Sequence, residues 1–494
     1  MKYVSTRGLD KERVCSASAI KRGLAPDGGL YMPESIPQIS EAELEALLHL
    51  SYSERAAKIL SLFLTDYGYD ELLEDATAAY SPEKFDLSPA PVSELGDGMY
   101  MLELWHGPTA AFKDMALQIM PRLFVRALRK TGEAKRAMIL VATSGDTGKA
   151  ALEGFRDIDG TCIKVFYPTD GVSAVQKLQM QTQEGKNLSV VGIRGNFDDA
   201  QNGVKRIFSD PVIARELEAE GIFLSSANSI NLGRLAPQIV YYFSAYCDLV
   251  TRGAIRMGET IDVTVPTGNF GNIFAAYIAK RMGLPLGRLV AASNRNNVLT
   301  DFFRTGVYDR NREFFETISP SMDILISSNL ERLLYITLGA EKTRDYMASL
   351  SECGRYELSE EDRACALCDF VGYFTDEEET AATIKRIYKN KNCLIDTHTA
   401  VAVHAAERYM DENKAERKML TVSTASAYKF AADVLASLTD RVPQGDTEAL
   451  AALTTLTAVP IPKPLCGLEE KAILHNGVID PEEMEESVKE FAEA

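Results

Sequence analysis

Short apolar segments alternate with longer amphipathic stretches from residue 96 onwards, and this alternation limits the fold more than any other feature of the sequence. Most of the short segments are continuously apolar, which is typical of strands that helices cover on both faces. The pattern therefore predicts an α/β fold with a mostly parallel sheet and helices on both sides. The predicted strands lie at residues 138–143, 162–167, 188–193, 261–265, 288–293, 393–395 and 419–422.

Residues 1–95 have a different character, and we predict that they form a separate N-terminal domain. Helical patterning covers residues 41–77, and the X-Pro pairs at 88–91 interrupt it because the residue before a proline disfavours helix. We expect residues 96–494 to form the core. Within this core, residues 301–390 show long helical patterning without convincing strands, which predicts a helical insertion.

The composition excludes several classes of function. The 494 residues include 53 Lys and Arg against 71 Asp and Glu, a net charge of −18, which argues against a dedicated nucleic-acid-binding protein. The apolar runs fall far short of the roughly 20 residues that span a bilayer, so we expect no membrane partner. Eight cysteines are too few for a disulfide scaffold and predict a reducing cytoplasm. Cys365 and Cys368 form a lone C-x-x-C, so we predict no metal site.

The segment 266–272, Pro-Thr-Gly-Asn-Phe-Gly-Asn, joins a predicted strand to a helical stretch. Its glycines and asparagines can present backbone N–H groups at a helix N-terminus, where anions bind. The segment lacks the Lys-Ser/Thr ending of a Walker loop and the third glycine of a dinucleotide fingerprint. A single phosphate is therefore the favoured ligand, and a tight turn without a ligand is the alternative.

The segment 143–148, Thr-Ser-Gly-Asp-Thr-Gly, has the same position after a predicted strand. Ser144, Asp146 and Thr147 suit a carboxylate or a phosphate, although the same residue types are also the best helix caps. Because open α/β sheets bind ligands beyond the carboxyl ends of their strands, we expect both segments to face one site.

Lys113 is the third candidate. It follows an apolar Ala-Ala-Phe and begins a helical stretch that Pro121 should kink. Desolvation and the positive end of the helix dipole both favour the neutral amine, and Schiff-base chemistry requires a neutral lysine amine. A solvated surface lysine is the alternative.

The segments that contain these candidates resemble motifs of the fold-type II pyridoxal-phosphate enzymes, and more closely those of the threonine synthase family of fungi and many bacteria. His-Gly-Pro-Thr at 106–109 and Phe-Lys-Asp at 112–114 match the family's lysine motif. Three further segments fit in family order, Asp-Gly-Gly-Leu-Tyr at 27–31, Asn-Ser-Ile-Asn-Leu-Gly-Arg at 228–234 and Ser-Thr-Ala-Ser-Ala-Tyr-Lys-Phe at 423–430. The resemblance spans almost the whole chain and implies a tryptophan synthase β-like fold whose core has two α/β subdomains.

The resemblance also implies which residues bind the cofactor, pyridoxal 5′-phosphate. Lys113 would bond covalently to it, and the hydroxyl of Thr424 would hydrogen-bond its pyridine nitrogen as a neutral partner. The cofactor phosphate would be held by the loop residues Gly268, Asn269, Phe270, Gly271 and Asn272.

The implied substrate contacts come from two other segments. Ser144, Asp146 and Thr147 would contact the α-carboxylate, with Asp146 using its backbone N–H because its own carboxylate would repel the ligand. Ser229 and Arg234 would bind a substrate phosphate, for which the guanidinium fork is suited.

The implied reaction converts O-phospho-L-homoserine and water to L-threonine and phosphate, as a carbon–oxygen lyase. A phospho-lyase of the same fold that releases 2-oxobutyrate is one alternative. A non-catalytic cofactor-binding homologue is another, and the intact Lys113 and Arg234 argue against it. The expected partner is a small-molecule substrate, without nucleic acid or membrane, and the expected state is a monomer or a homodimer.

Overall fold

Two sheets form the centre of the computed structural model, which describes residues 1–493 apart from 87, 170, 171, 440, 442 and 444. The strands, numbered along the chain, are β1 (Tyr3–Ser5), β2 (Tyr31–Pro33), β3 (Val92–Gly96), β4 (Met99–Glu103), β5 (Arg136–Ala142), β6 (Thr161–Pro168), β7 (Leu188–Ile193), β8 (Ile222–Ser225), β9 (Ile261–Pro266), β10 (Leu286–Ser293), β11 (Val307–Asp309), β12 (Arg355–Glu357), β13 (Phe370–Phe374), β14 (Met419–Ser423) and β15 (Val478–Ile479).

The larger sheet has six strands in the order β13-β10-β9-β14-β4-β3. All neighbours are parallel except β3 and β4, which form an antiparallel hairpin. Strand β14, although late in the sequence, lies between β9 and β4 near the middle of the sheet. The smaller sheet has the order β15-β7-β6-β5-β8 and is parallel throughout.

Helices surround both sheets. They are α1 (Ser16–Arg22), α2 (Glu41–Leu47), α3 (Tyr52–Phe63), α4 (Tyr69–Ala79), α5 (Asp114–Leu117), α6 (Met120–Lys130), α7 (Asp146–Phe155), α8 (Ala174–Gln181), α9 (Phe197–Ser209), α10 (Pro211–Ala219), α11 (Leu232–Thr251), α12 (Gly271–Arg281), α13 (Val298–Thr305), α14 (Leu330–Leu338), α15 (Ala340–Cys353), α16 (Glu360–Leu367), α17 (Glu377–Lys391), α18 (Thr397–Asn413), α19 (Ala431–Thr439), α20 (Asp446–Thr457) and α21 (Met484–Glu493). None of them, within the described ranges, has the length and hydropathy of a membrane span.

The predicted α/β class is confirmed, and its physical basis is visible in β5. Ile139 packs in the main hydrophobic core, whereas its neighbour Leu140 packs in a second core that includes residues of α9, α10 and α21. Successive side chains of a strand point to opposite faces, so both faces of this sheet are buried. A strand in that position needs apolar residues throughout, which explains the continuous apolar pattern.

One predicted strand is wrong. Residues 393–395 are irregular and lead directly into α18. Asp396 caps this helix, because its side chain accepts hydrogen bonds from the backbone N–H groups of His398 and Thr399. The short apolar run is therefore the approach to a helix N-terminus.

The prediction that 301–390 lacks strands is also wrong, because β11, β12 and β13 lie there. Strand β13 forms the edge of the six-stranded sheet and pairs with β10. Gly372 in its middle weakens the sequence signal, since glycine is depleted in strands. A Cβ atom at Gly372 would lie 2.7 Å from the Thr300 Cα atom, so the glycine allows α13 to approach the strand closely.

The kink expected at Pro121 is present as a break between α5 and α6. Pro121 lies in the first turn of α6, where its missing N–H group has no intrahelical partner to lose. The chain thus turns soon after Lys113, and α5 packs against both α7 and α11. The hairpin strand β3 begins at Val92, and the domain division at residue 95 stays a prediction.

Gly154 sets the spacing between α5 and α7, and its substitution tests that packing. A Cβ atom at this position would overlap the carbonyl oxygen of Leu117 at the end of α5. Helix propensity alone favours alanine over glycine by ~1 kcal/mol, but overpacking against backbone costs ~1–3 kcal/mol. We expect Gly154→Ala to lower the midpoint of thermal unfolding, followed by circular dichroism.

Gly477→Ala is the control, because a Cβ atom there has no heavy atom within 4 Å. Its midpoint should match that of the unsubstituted chain. A Gly154→Ala protein with an unchanged midpoint would contradict the close contact between α5 and α7.

Candidate active site

Loops from both sheets meet at the carboxyl ends of their parallel strands. The loop after β4 carries Lys113, and the loop after β5 leads to Asp146 at the start of α7. The Lys113 Nζ and Asp146 Oδ2 atoms are 3.6 Å apart, so they join the two sheets. The Phe112 backbone N–H donates to the Thr424 carbonyl oxygen at 2.7 Å, which fastens the lysine loop to the end of β14.

Lys113 is largely buried, and its side chain is 12% exposed. Burial lowers the pKa of this amine to about 8, and the positive charges of Arg234 and Lys429 act in the same direction. Asp146 opposes them, because a nearby carboxylate favours the ammonium form. An amine with this pKa exchanges protons readily near neutral pH, as a nucleophile or a proton carrier must.

Asp146 is a buried carboxylate at the first position of α7. Burial alone would raise its pKa, but the charges of Lys429 and Lys113 outweigh burial and hold that pKa below its usual value. Its Oδ1 atom also accepts a hydrogen bond of 2.8 Å from the Gln176 side chain. The side chain is thus an ionised group at the centre of the site, and the contact of the Asp146 backbone N–H with the α-carboxylate stays a prediction.

The loop 266–272 has the geometry that the sequence suggests for an anion site. Phe270 adopts a left-handed conformation with φ +64°, and Gly271 begins α12. A Cβ atom at Gly268 would lie 2.8 Å from the Ser321 carbonyl oxygen. Backbone groups therefore approach closely only because Gly268 has no side chain. The carbonyl oxygen of Asn269 accepts from the backbone and side chain of Asn329, which holds the loop in place.

The side-chain amide of Asn272 carries a buried donor that the described part of the chain leaves unpaired. Its Oδ1 atom accepts hydrogen bonds from the hydroxyl groups of Tyr241 and Tyr242, at 2.7 and 2.5 Å. These bonds fix the amide orientation and leave the buried Nδ2 group without an acceptor among the described residues. A buried unpaired donor is costly unless a ligand satisfies it. Asn272 and the N-terminus of α12 therefore fit a phosphate group.

Arg234 is a buried cation in the first turn of α11. One guanidinium nitrogen, Nη1, donates to the Ala227 carbonyl oxygen at 2.7 Å, whereas the buried Nε has no partner within the described residues. Burial lowers the pKa of this guanidinium to about 10, and no carboxylate of the described chain pairs with it. An anionic ligand is the counterion that this arrangement lacks.

The other predicted residues surround these groups. Ser144 on the loop after β5 and Thr147 in the first turn of α7 are half-buried, and Thr424 is buried directly after β14. Ser229 borders the loop 266–272, because its Cβ atom lies 3.7 Å from the position that a Cβ atom would take at Gly271. The structure thus brings all the predicted segments to one region, while the contacts of each residue with a ligand stay predictions.

Lys429 and Gln176 are site residues that we did not predict from the sequence. Lys429 lies in the segment 423–430, and its Nζ atom is 2.7 Å from Asp146 Oδ1. Its signal is a lysine between two aromatic residues, Tyr428 and Phe430, which is weak by itself. Gln176 has no distinguishing signal, since its helical context is ordinary.

The unpaired charge of Arg234 leads to a prediction about stability. Replacing a buried ionic group with an apolar one of similar size is often neutral or stabilising. We therefore expect Arg234→Met to stabilise the ligand-free protein by ~1 kcal/mol or more, seen as a higher midpoint of thermal unfolding.

Arg332→Met is the matched control. Arg332 is equally buried, but it donates to the carbonyl oxygens of Tyr31, Ser229 and Ile230 and to the Asn329 side chain. Leaving an acceptor unpaired costs ~1–3 kcal/mol, and Arg332→Met leaves four of them against the single Ala227 carbonyl oxygen in Arg234→Met, so the control should be less stable. Destabilisation by both substitutions would show that Arg234 is a structural residue.

Three family models match the chain. One described as "Threonine synthase N terminus" matches residues 2–80. One described as "Pyridoxal-phosphate dependent enzyme" matches residues 85–425. One described as "Threonine synthase, C-terminal" matches residues 399–472.

Proteins named threonine synthase or threonine synthase-like are similar to this chain over most of its length. Human threonine synthase-like 1 is 41% identical over 88% of this chain, which spans only 60% of that protein's length. The threonine synthase of Pseudomonas aeruginosa is 38% identical over 87% of this chain and 89% of its own length. The threonine synthase of Saccharomyces cerevisiae is 36% identical, with 87% of each chain covered.

Solved structures agree with the sequence relatives. The structure of pyridoxal-phosphate-bound threonine synthase from Brucella melitensis covers 100% of both chains with a TM-score of 0.87 and 36% identity. Yeast threonine synthase gives a TM-score of 0.88 and 32% identity over 99% of this chain and 98% of its own. The predicted fold type is therefore confirmed, and the chain belongs to the threonine synthase family of pyridoxal-phosphate dependent enzymes.

Proposed function

We propose that the chain is a threonine synthase, which converts O-phospho-L-homoserine and water to L-threonine and phosphate with pyridoxal 5′-phosphate as cofactor. The observation that carries this proposal is Arg234, a buried cation without an acidic partner among the described residues. Its positive charge lowers the pKa of Lys113. A substrate phosphate carries about two negative charges at neutral pH. Such a substrate would supply the counterion that Arg234 lacks.

The loop 266–272 supports a proposed place for the cofactor phosphate. Asn272 Nδ2 and the backbone N–H groups of Gly268 and Gly271 would hold its phosphate, as the unpaired amide donor supports. The Thr424 hydroxyl would meet the pyridine nitrogen as a neutral partner. When bound, the cofactor supplies an electron-withdrawing ring that stabilises the charge left on the substrate Cα atom after proton removal.

Lys113 would move the protons in this reaction. Its pKa of about 8 places it close to the working pH, where a general base and acid is most effective. Burial keeps water from competing with the amine for the substrate protons. Lys113 would remove the proton from Cα and serve again at Cβ, before water adds there.

Arg234 and Ser229 would bind the substrate phosphate and would keep it in the site after its bond to the substrate breaks. Ser144, Thr147 and the backbone N–H groups at the start of α7 would orient the α-carboxylate, because helix N-termini favour anions. Orientation from two ends would hold Cα and Cβ in reach of Lys113, which reduces the entropic part of the barrier.

We further propose a location in a reducing cytoplasm, which the eight free cysteines support. The proposed partner is the small-molecule substrate alone, with no nucleic acid, and the acidic composition supports this. The proposed state is a monomer or a homodimer.

The products formed from O-phospho-L-homoserine test the function. We expect the purified full chain with cofactor to release equal amounts of phosphate and L-threonine, measured by a phosphate assay and by amino-acid chromatography. Lys113→Ala should form neither product, because it removes the proposed proton carrier. Phosphate accompanied by 2-oxobutyrate would identify a phospho-lyase instead, and no turnover at all would support a non-catalytic homologue.

The shape of the phosphate-binding group gives a second test. Arg234→Lys keeps the positive charge but loses the planar fork that binds phosphate in two places. The loss of one charged hydrogen bond costs ~1.5–3 kcal/mol, so kcat/KM should fall roughly ten- to a hundredfold. The visible absorbance of bound cofactor should stay normal. Wild-type kinetics in this variant would remove Arg234 from the substrate site.

A further inference from the structure

Lys429 is a fully buried cation of the site that forms an ion pair with Asp146. It lies in the turn Ala427–Phe430 that follows β14. Its Nζ atom is 2.7 Å from Asp146 Oδ1 and donates to the Thr109 carbonyl oxygen at 3.0 Å. The side chain is 0% exposed, so no water replaces either contact.

We propose that Lys429 is a positioning residue, which holds Asp146 as a fixed, charge-compensated carboxylate and thereby controls the protonation of Lys113. It touches neither the substrate nor the cofactor in this role and acts through Asp146. The inference rests on the proposed function in one respect, because it takes Lys113 to be the lysine that bonds to the cofactor.

The first reason is the electrostatic cost of Asp146. An ionised carboxylate removed from water loses several kcal/mol of solvation unless a cation and hydrogen bonds replace the water. Lys429 supplies the cation at Oδ1, Gln176 donates to the same atom, and the Ser321 hydroxyl donates to Oδ2 at 3.4 Å. Each carboxylate oxygen therefore has a fixed direction, and Oδ2 faces Lys113.

The second reason is the chemistry expected at this position. The start of α7 is where the substrate α-carboxylate is proposed to bind, and a lone Asp146 carboxylate would repel it. With Lys429 in contact, Asp146 is part of a neutral pair, so an anionic ligand meets no net charge from it. Lys429 thus reconciles an acidic side chain with an anion-binding loop.

The third reason is the balance of charges around Lys113. Asp146 favours the ammonium form of this lysine, whereas Lys429 and Arg234 favour the neutral amine. Burial raises the pKa of Asp114, a second acid near Lys429, to about 7. The charge of Lys429 opposes this rise. Without Lys429, Lys113 would be the one cation that the described residues place within 4 Å of Asp146, and the ammonium form of Lys113 would become more stable.

A purely structural role through Thr109 is the competing explanation. The backbone N–H and hydroxyl of Thr109 also donate to the Asp114 carboxylate, both at 2.8 Å. These bonds would keep the lysine loop in place after the loss of Lys429. The two explanations therefore differ in whether the effect of Lys429 depends on Asp146.

The experiment uses the full chain with Lys429→Met, Asp146→Asn or both substitutions. The cofactor is removed, pyridoxal 5′-phosphate is added back, and the rate of its attachment to Lys113 is followed by visible absorbance across pH. Only the neutral amine attacks, so the unsubstituted chain should show a midpoint near the Lys113 pKa of about 8. The midpoint should rise by about one pH unit in Lys429→Met, roughly a tenfold slower attachment at neutral pH, and should fall in Asp146→Asn.

Thermal unfolding provides a readout that needs no cofactor. Lys429→Met leaves Asp146 without the closer of its two cations, and Asp146→Asn leaves Lys429 without its carboxylate, whereas the double substitution removes both members of this pair. The unfolding midpoint of the double variant should therefore lie above those of both single variants. Lys164→Met is the matched control, because Lys164 is also a buried lysine but contacts Ser189 and Phe491 away from the site, and it should leave the pH midpoint unchanged.

The outcomes separate the inference from the proposed function. An unchanged pH midpoint in Lys429→Met, or a double variant less stable than both single variants, would overturn the inference. Release of a product other than threonine would overturn the proposed function while leaving these readouts intact. An unsubstituted chain that binds no cofactor at Lys113 would overturn both.

Discussion

The buried charge of Asp146 links the two halves of the molecule. Asp146 begins α7, which follows β5 of the five-stranded sheet, and its two closest cations, Lys113 and Lys429, come from loops of the six-stranded sheet. A carboxylate without water needs cations within a few ångströms, because its interaction with more distant charges cannot replace lost solvation. The electrostatic requirement of one side chain thus specifies how the carboxyl ends of the two sheets face each other.

The charge of the whole chain and the charge of the site have opposite signs. The net charge is −18, whereas Arg234 and Lys113 make the site cationic once Asp146 and Lys429 neutralise each other. Salt screens exposed charges beyond about 8 Å at physiological ionic strength, so the acidic surface has little influence on an anion that has entered the site. Local cations and amide donors therefore decide what binds there, as Asn272 and Arg234 illustrate.

The sequence was sufficient for the parts of the structure that depend on local pattern. A strand covered on both faces, such as β5, is apolar over most of its length, and this pattern is visible without a structure. Strand β13 was missed because Gly372 interrupts its apolar run, and the reason for that glycine is a helix from a distant part of the chain.

The site residues likewise include some that a local pattern reveals and some that it does not. The loops and Lys113 carry recognisable motifs, whereas Lys429 and Gln176 act on Asp146 across 283 and 30 residues of sequence, and no local pattern records such contacts.

The position of β14 in the middle of the six-stranded sheet affects how this protein can be made. Strands β9 and β4 reach each other only through β14, which is synthesised after residue 418. Until then, a chain emerging from a ribosome holds two partial sheets with unpaired inner edges, and unpaired edges promote association between chains. Pairing over such sequence separations is also slow. Nascent chains of this protein therefore have a long interval in which a chaperone that shields strand edges, or a fast rate of translation through the last quarter, would improve the yield of native protein.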